Sequence, residues 1–335
     1  MTICSSTERV KAGPGVNAAE GVVRWRPGKS LWVTAMTVIG VVGAPFTFST
    51  EALTLFLVTT AVTICAGHSV GMHRLLIHRS FKTPKALEYL LVWLGVLVGM
   101  AGPFGMIRAH DLRDWAQRQS ACHDHSSHGR PFLIDAFWQM HCDLDLKHPP
   151  RLEIEADVRN DPVYRFLERT WMLQNLALAA VFFAVGGLAW VVWGICLRVA
   201  VSLTGHWLVG HFAHRRPSGR WYVDGACVQG FNVPFAALVT FGESWHNNHH
   251  AFPGSARLGL EKGQADPGWW MILVLRALGL AWDIRTPTTL PARADLHRLP
   301  RDHAAGRRNG AGRNSAGRSG AGFSGTLGSS HAELS

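Results

Sequence analysis

Apolar residues along this chain gather into long runs rather than short alternating patches. Four runs approach or exceed the roughly 20 residues that span a bilayer: residues 31–48, 52–72, 171–193 and 195–212. The second is interrupted only by Thr, Ser, Gly and His68. Arg169 and terminal Trp residues flank the third, as interfacial anchors do. Ser49, Thr50 and Glu51 separate the first pair, and Gly194 separates the second pair. Turns this short predict two helical hairpins, with the longer segments on one common side. A fifth apolar stretch, residues 87–106, would divide those segments between opposite faces if it crossed. It is therefore expected to be a helix lying in the interface. The predicted class is all-α: a polytopic membrane protein with four transmembrane helices in two hairpins, an interfacial helix and a His-rich cap.

Charge orients this arrangement. Lys11, Arg24, Arg26 and Lys29 precede the first run, and Arg74, Arg79, Lys82 and Lys85 follow the second. Arg165 and Arg169 precede the third, and Arg215, Arg216 and Arg220 follow the fourth. Glu51 lies on the opposite side, where Arg198 is the one exception. The excess of Lys and Arg predicts that the common side is cytoplasmic. Both termini then lie there, and a bacterial cytoplasmic membrane is the expected location.

Composition agrees. Of 335 residues, 47% are hydrophobic and 17% charged, with a mean hydropathy of +0.08. A soluble domain carries about 25% charged residues, so a two-domain cytosolic enzyme is disfavoured. A disordered chain and a small disulfide scaffold are excluded. The net charge is +10, of which the stretch from His297 onward supplies +4 through six Arg against Asp302 and Glu333. This positive excess is assigned to the membrane surface and its lipid, not to nucleic acid. The expected organisation is a polar segment at 1–30 without a signal-peptide core, a membrane domain at 31–295, and a disordered Gly/Ala/Arg/Ser-rich tail at 296–335. Six cysteines form no CxxC pair, so no zinc ribbon or redox motif is visible.

The chain holds 18 histidines, and their grouping is the chemical signal. His73 and His78 follow the second run in GMHRLLIHRSF. His110 opens HDLRDW. Cys122, His123, His125 and His128 form CHDHSSH. His206, His211 and His214 close the fourth run, and His246, His249 and His250 form GESWHNNHHAFP. The last three stand at i, i+3 and i+4, which places them on one face of a helix. Neutral imidazole is the commonest transition-metal ligand. Groups of this size on one membrane face predict a metal site for iron, copper or zinc.

GHSVGMHRLLIHRSF, with its HxxxxH, and GESWHNNHHAFP, with its HxxHH, resemble the first and last histidine boxes of integral-membrane acyl desaturases of the stearoyl type. DPGWWMILVLRALGLAWDI resembles the stretch after the last box. The likeness runs over roughly residues 65–285. It implies four membrane helices, a cytosolic cap, two irons held by histidines, dioxygen as co-substrate, an external electron donor and a long acyl chain in a kinked tunnel. Carried onto this sequence, the implied ligands are His73, His78, His110, His246, His249 and His250, with His214 in the ligand position of an NxxxH pattern. Gly210 replaces the Asn of that pattern, and His211 is a further candidate beside it.

The middle box also departs. The family's HRxHH aligns with His110-Asp111-Leu112-Arg113-Asp114, so two imidazoles become Arg113 and Asp114. A guanidinium offers no lone pair, whereas a carboxylate can ligate. Two alternatives stay open: Asp114 ligates and Arg113 balances its charge, or His123, His125 or His128 re-ligate the site. The expected reaction is introduction of a double bond into a long acyl chain presented on CoA, a carrier protein or a lipid. Electrons are expected from a separate protein, a ferredoxin or a b-type cytochrome with its reductase. The alternatives are hydroxylation of a lipid or carotenoid-like substrate, and a non-catalytic paralogue that binds metal or lipid.

Overall fold

The computed structural model describes residues 9–300. The polar N-terminal stretch is tied to the body by two short ribbons. Strand β1 (Val10–Lys11) and β2 (Asn17–Trp25) run antiparallel to β4 (Arg151–Leu152) and β3 (Cys142–His148), respectively. A third ribbon pairs β5 (Trp221–Val223) with β6 (Leu296–Arg298). These ribbons amend the all-α expectation. They also draw residues 296–298, which composition assigns to the tail, into the folded body; residues 301–335 lie outside the described part.

Helix α1 (Pro27–Gly43) begins on a proline, whose missing N–H is no loss in a first turn. Helix α2 (Thr50–Ile77) starts where Ser49 accepts from the Ala52 N–H, a side-chain cap that ends the hairpin turn. Two helices are long and apolar enough to cross a membrane: α2 and the run Pro162–Ala213. That run comprises α6 (Pro162–Val191), a π-helical segment (Val192–Leu197) and α7 (Arg198–Ala213). Its backbone leaves helical geometry at Gly186 and Gly187, the latter at φ 63° and ψ −157°, a region open essentially to glycine alone. The chain reverses there. Arg198 Nη2 donates to Asn175 Oδ1 at 2.7 Å, although a straight helix would hold these residues about 35 Å apart.

The sequence places this reversal at Gly194, and the structure corrects it. Gly194 lies inside a helix, where an added Cβ would come within 2.8 Å of Leu55 and Phe182. Glycine serves close packing there, not a turn. Arg198 is then not a charge at the hairpin tip. It is fully buried and also donates to the Gly194 and Leu97 carbonyls, so every strong bond it makes is internal.

The fifth apolar stretch is not one helix. It divides into α3 (Lys85–Val96) and α4 (Pro103–Gln117). At 12 residues, α3 is about 18 Å long, too short to cross the roughly 30 Å hydrocarbon core. It packs on α2 through Met72, Leu76, Val92 and Val96, joined by Met106 and Ile107 of α4 and Tyr164 and Leu167 of α6. A second core sets Trp32, Val33 and Met36 of α1 against Ile195, Cys196 and Val199. The ends of α2 and α7 are thereby held beside α4. Helix α5 (Phe132–His141) packs across α7, and the short α8 (His246–Ala251) closes the group ahead of α9 (Pro267–Ala277).

The reversal gives a direct test. Gly187→Ala forces a Cβ into a backbone region that costs about 1–3 kcal/mol and should lower the melting temperature of the detergent-solubilised protein. Gly205→Ala, in α7 with open space at the Cβ position, should leave it unchanged or slightly higher. Equal melting temperatures for the two variants would show that the reversal does not depend on Gly187.

Candidate metal centre

His73 lies in the last turn of α2, and His78 caps its end. In α-helical winding a spacing of five leaves two side chains about 140° apart. From Thr63 to Ile77, however, α2 is wound as a π-helix, whose i→i+5 bonds bring that spacing onto one face. The His78 N–H donates to the His73 carbonyl at 3.0 Å, and the two Nε2 atoms stand 3.1 Å apart. His110 of α4 and His249 of α8 complete the group. One ring nitrogen from each of the four lies within 4.8 Å of all the others.

A second group forms beside it from His214, at the end of α7, with His246 and His250 of α8. His246 Nε2 is 3.1 Å from His214 Nε2 and 2.9 Å from His250 Nε2. The three histidines of the last box therefore do not serve one site. His246 and His250 face the second group, while His249 faces the first. Its ring centroid is 4.6 Å from that of His73 and 5.7 Å from those of His246 and His250. One helical turn thus links the two clusters.

Carboxylates and amides hold the outer ring nitrogens. His73 Nδ1 is 2.5 Å from Glu243 Oε2, and Ser69 Oγ donates to the other Glu243 oxygen at 2.6 Å. His110 Nδ1 meets Asp111 Oδ1 at 3.1 Å. The second Asp111 oxygen accepts from Arg9, which is fully buried and also donates to the Leu76 and Ile77 carbonyls. Arg9 thereby neutralises the open C-terminal end of α2 directly beside the cluster. His214 Nδ1 donates to the Gln229 carbonyl at 3.1 Å. Such outer contacts fix which nitrogen keeps its lone pair.

The clusters fit a metal ion. Bonds of about 2.1 Å to nitrogen put ligands at right angles about 3.0 Å apart, and the Nε2 pairs stand at 2.9–3.1 Å. Burial, followed by the neighbouring imidazoles, pushes His246, His249 and His250 well below the usual histidine range. They are neutral at pH 7, with lone pairs free to ligate. Asp114 Oδ2 is buried without a hydrogen-bond partner, 3.8 Å from His249 Nε2. Burial opposes its ionisation, but His110, Arg118, His249 and His246 outweigh burial and keep its carboxyl well below the ordinary range. Glu243 is held ionised in the same way: burial is outweighed by His73, Arg74 and His68. The buried Asp114 carboxylate and the converging imidazoles form a donor set for a first-row transition metal.

The remaining candidates fall in different places. Arg113 donates to Gln139 Oε1 at 2.5 Å; the guanidinium within 4 Å of the Asp114 carboxylate is that of Arg118, at 3.7 Å. His211 contacts Asp135 Oδ2 at 2.7 Å and joins neither cluster. His123 and His125 also lie outside both, against Trp138. His128 stacks on His214 at 5.6 Å between ring centroids. Sequence reasoning missed Glu243, Asp111 and Gln117, whose Nε2 lies 3.1 Å from His214 Nε2. A signal existed for Gln117: His110, Asp114 and Gln117 are at i, i+4 and i+7, one face of α4. Asn247 and Asn248 clip the surrounding loops, bonding the Trp221 and Gly230 carbonyls and the Leu258 carbonyl, respectively.

No protein-family model matches the chain. Curated relatives do. It is 35% identical over 250 residues to an acyl-CoA 5-desaturase of Anemone leveillei, covering 75% of this chain and 77% of the relative. It is 34% identical over 264 residues to an sn-1 stearoyl-lipid 9-desaturase of Anabaena variabilis, covering 76% and 93%. Identity to delta-9 acyl-lipid desaturase 1 of Arabidopsis thaliana is 33% over 246 residues, covering 73% and 79%. With paired histidine clusters and likeness of this extent, the chain belongs to the acyl-CoA and acyl-lipid desaturase family and is a fatty acyl desaturase, an oxidoreductase.

Proposed function

We propose that the chain is an integral-membrane di-iron desaturase that forms a double bond in a long acyl chain. The observation that carries this is the pair of adjacent clusters, the first mostly buried and the second half-buried, joined through α8 and each offering converging imidazole nitrogens. The overall change consumes one dioxygen, two electrons and two protons per CH2–CH2 unit and yields CH=CH and two waters. When bound, iron supplies the oxidant for an unactivated C–H bond that no side chain can attack. His73, His78, His110 and His249 would hold one ion, and His214, His246 and His250 the other. Asp114 adds a carboxylate beside His249 from the α4 position where the family carries a histidine. Arg118, rather than Arg113, balances it.

The other residues orient and shield. Glu243 and Asp111 fix the tautomers of His73 and His110. Arg74, paired with Asp266 at 2.8 Å and with Glu243, anchors the loop that carries Glu243. Burial of His73, His78, His249 and His250 limits the water that would otherwise compete.

Four spans in two hairpins are the arrangement that the outward faces favour. Leu31, Val38, Ile39, Val41 and Val42 of α1 are exposed, as are Leu173, Leu176, Val181, Phe183 and Val185 of α6. Apolar faces of this extent suit lipid, not water. Reversal at Gly186–Gly187 divides the second long helix into two spans, and α1 with α2 forms the other pair. The basic flanks then put the metal clusters and both termini on the cytoplasmic side. Electrons would come from a separate donor protein, a ferredoxin or a b-type cytochrome with its reductase. The acyl carrier would be CoA, a carrier protein or a lipid.

Expression in a host followed by lipid profiling should reveal new double bonds that depend on dioxygen. Hydroxylated chains in their place would overturn the desaturase reading. His249→Ala removes the ligand between the two clusters and should reduce turnover to background; unchanged turnover would reject the site. Asp114→Ala should lower iron content and cut activity about 10- to 100-fold, whereas Asp114→His, which restores an imidazole, should retain iron. Iron at the wild-type level in Asp114→Ala would remove Asp114 from the ligand set.

A further inference from the structure

The second cluster has three imidazoles where the first has four. Gly210 stands one turn before His214, a member of that cluster, on α7. An added Cβ at Gly210 would come 3.0 Å from Nε2 of His128 and 3.2 Å from its Cε1. Here the space left by a missing side chain is filled by an imidazole from a distant segment. His128 is 1% exposed, and its Nε2 is buried without a hydrogen-bond partner. Its ring lies nearly parallel to that of His214, at an interplanar angle of 17°.

The orientation of His128 is set from several sides. Its Nδ1 stands 3.0 Å from Asp135 Oδ2. The same oxygen accepts from Trp207 Nε1 at 2.9 Å and from His211 Nδ1 at 2.7 Å. An indole nitrogen can only donate, so this oxygen is the acceptor for three converging donors and does not need a cation. Nδ1 of His128 therefore carries the proton, and the lone pair is on Nε2. The backbone of His128 is left-handed, at φ 53°, where it caps the helical turn Asp124–Ser127, and neighbouring side chains hold it there. Arg215 provides part of that hold, donating twice to the His128 carbonyl at 2.6 and 3.1 Å. Gln117 provides more, donating to the Ser126 carbonyl at 2.7 Å while contacting His214.

We propose that His128 supplies the fourth nitrogen donor of the second metal site, filling the space beside Gly210, with Asp135 holding its Nε2 lone pair on that side. This rests on the di-iron reading. It adds that Gly210 and His128 are a matched pair: one vacates the space that the other occupies. A carboxylate behind a ring nitrogen is the usual outer support of a metal-ligating histidine, and Asp135 gives His128 that support.

The pairing predicts a sign reversal between variants. Full-length protein purified gently from iron-57-supplemented cells should hold two irons per chain, seen as two Mössbauer subspectra. His128→Ala should fall toward one iron, losing one subspectrum and keeping the other, which also shows that the variant is folded. Gly210→Asn should do the same, because its Cβ would collide with the His128 ring. The double variant His128→Ala, Gly210→Asn should regain the second iron, since the amide can then enter the freed space. Two irons with unchanged spectra in His128→Ala would overturn the proposal while leaving the di-iron reading intact. Equal loss of both subspectra without recovery in the double variant would reduce His128 to a structural role. A wild-type protein devoid of iron would overturn both readings.

Discussion

Imidazole lone pairs that converge in a buried space raise free energy until a cation sits among them. The inner ring nitrogens are largely withdrawn from water, and many of their nearest neighbours are other ring nitrogens. Seven rings meet in this way in the two clusters. Burial holds His246, His249 and His250 well below the usual histidine range, so repulsion between cations does not disperse them. The surrounding structure serves to hold this arrangement. Helix α2 adopts π winding where HxxxxH must face one way, and α8 spends its one and a half turns on presenting two faces to two sites.

The same requirement accounts for the unusual number of buried charges. Arg9, Arg74 and Arg198 are all fully buried. A lone buried cation would be severely destabilising, so each is matched by several acceptors. Arg9 binds Asp111, Glu155 and the last carbonyls of α2. Arg74 binds Asp266, Glu243 and two loop carbonyls. Two of these networks end on a carboxylate that touches a clustered histidine, through Asp111 and Glu243. Polar groups far apart in sequence are thus recruited to fix ring orientation. The third, on Arg198, locks the returning helix to α6 through Asn175 and has no contact with the clusters.

How much of this could be read beforehand follows from the range of each signal. HxxxxH and HxxHH are local patterns, so His73, His78, His246, His249 and His250 were legible as a metal-binding set. His214 was legible through its place at the end of an apolar run. The division of the last box between the two clusters was not legible, because periodicity shows which residues share a helix face but not how finely that face is divided. The hairpin reversal was misplaced because Gly194 and Gly186–Gly187 look alike in an apolar run. Only the packing of Gly194 against Leu55 and Phe182 separates a contact glycine from a turn glycine. Glu243 and Asp135 act across long sequence distances, and no local pattern announces them, whereas Gln117 shares a face of α4 with His110 and Asp114. The middle box is the instructive intermediate case: substitution of its histidines was visible, but the identity of the guanidinium beside Asp114 required the geometry of α4.

Exchanging an imidazole for Asp114 changes more than a donor atom. It adds a negative charge to a site otherwise lined by neutral ligands, and in a dry interior such a charge is felt strongly. Arg118, 3.7 Å away and one turn further along α4, offsets it without offering a competing ligand, since a guanidinium has no lone pair. A histidine at position 114 would take the nearest carboxylate from Arg118. Asp114 and Arg118 are therefore coupled by the same logic that couples Gly210 to His128. Of the three departures from the family pattern, those at positions 114 and 210 are each accompanied by a residue that supplies the missing charge or volume. Departures of this kind, matched in space though separated in sequence, fit a metal centre that has been rebuilt better than one that has decayed.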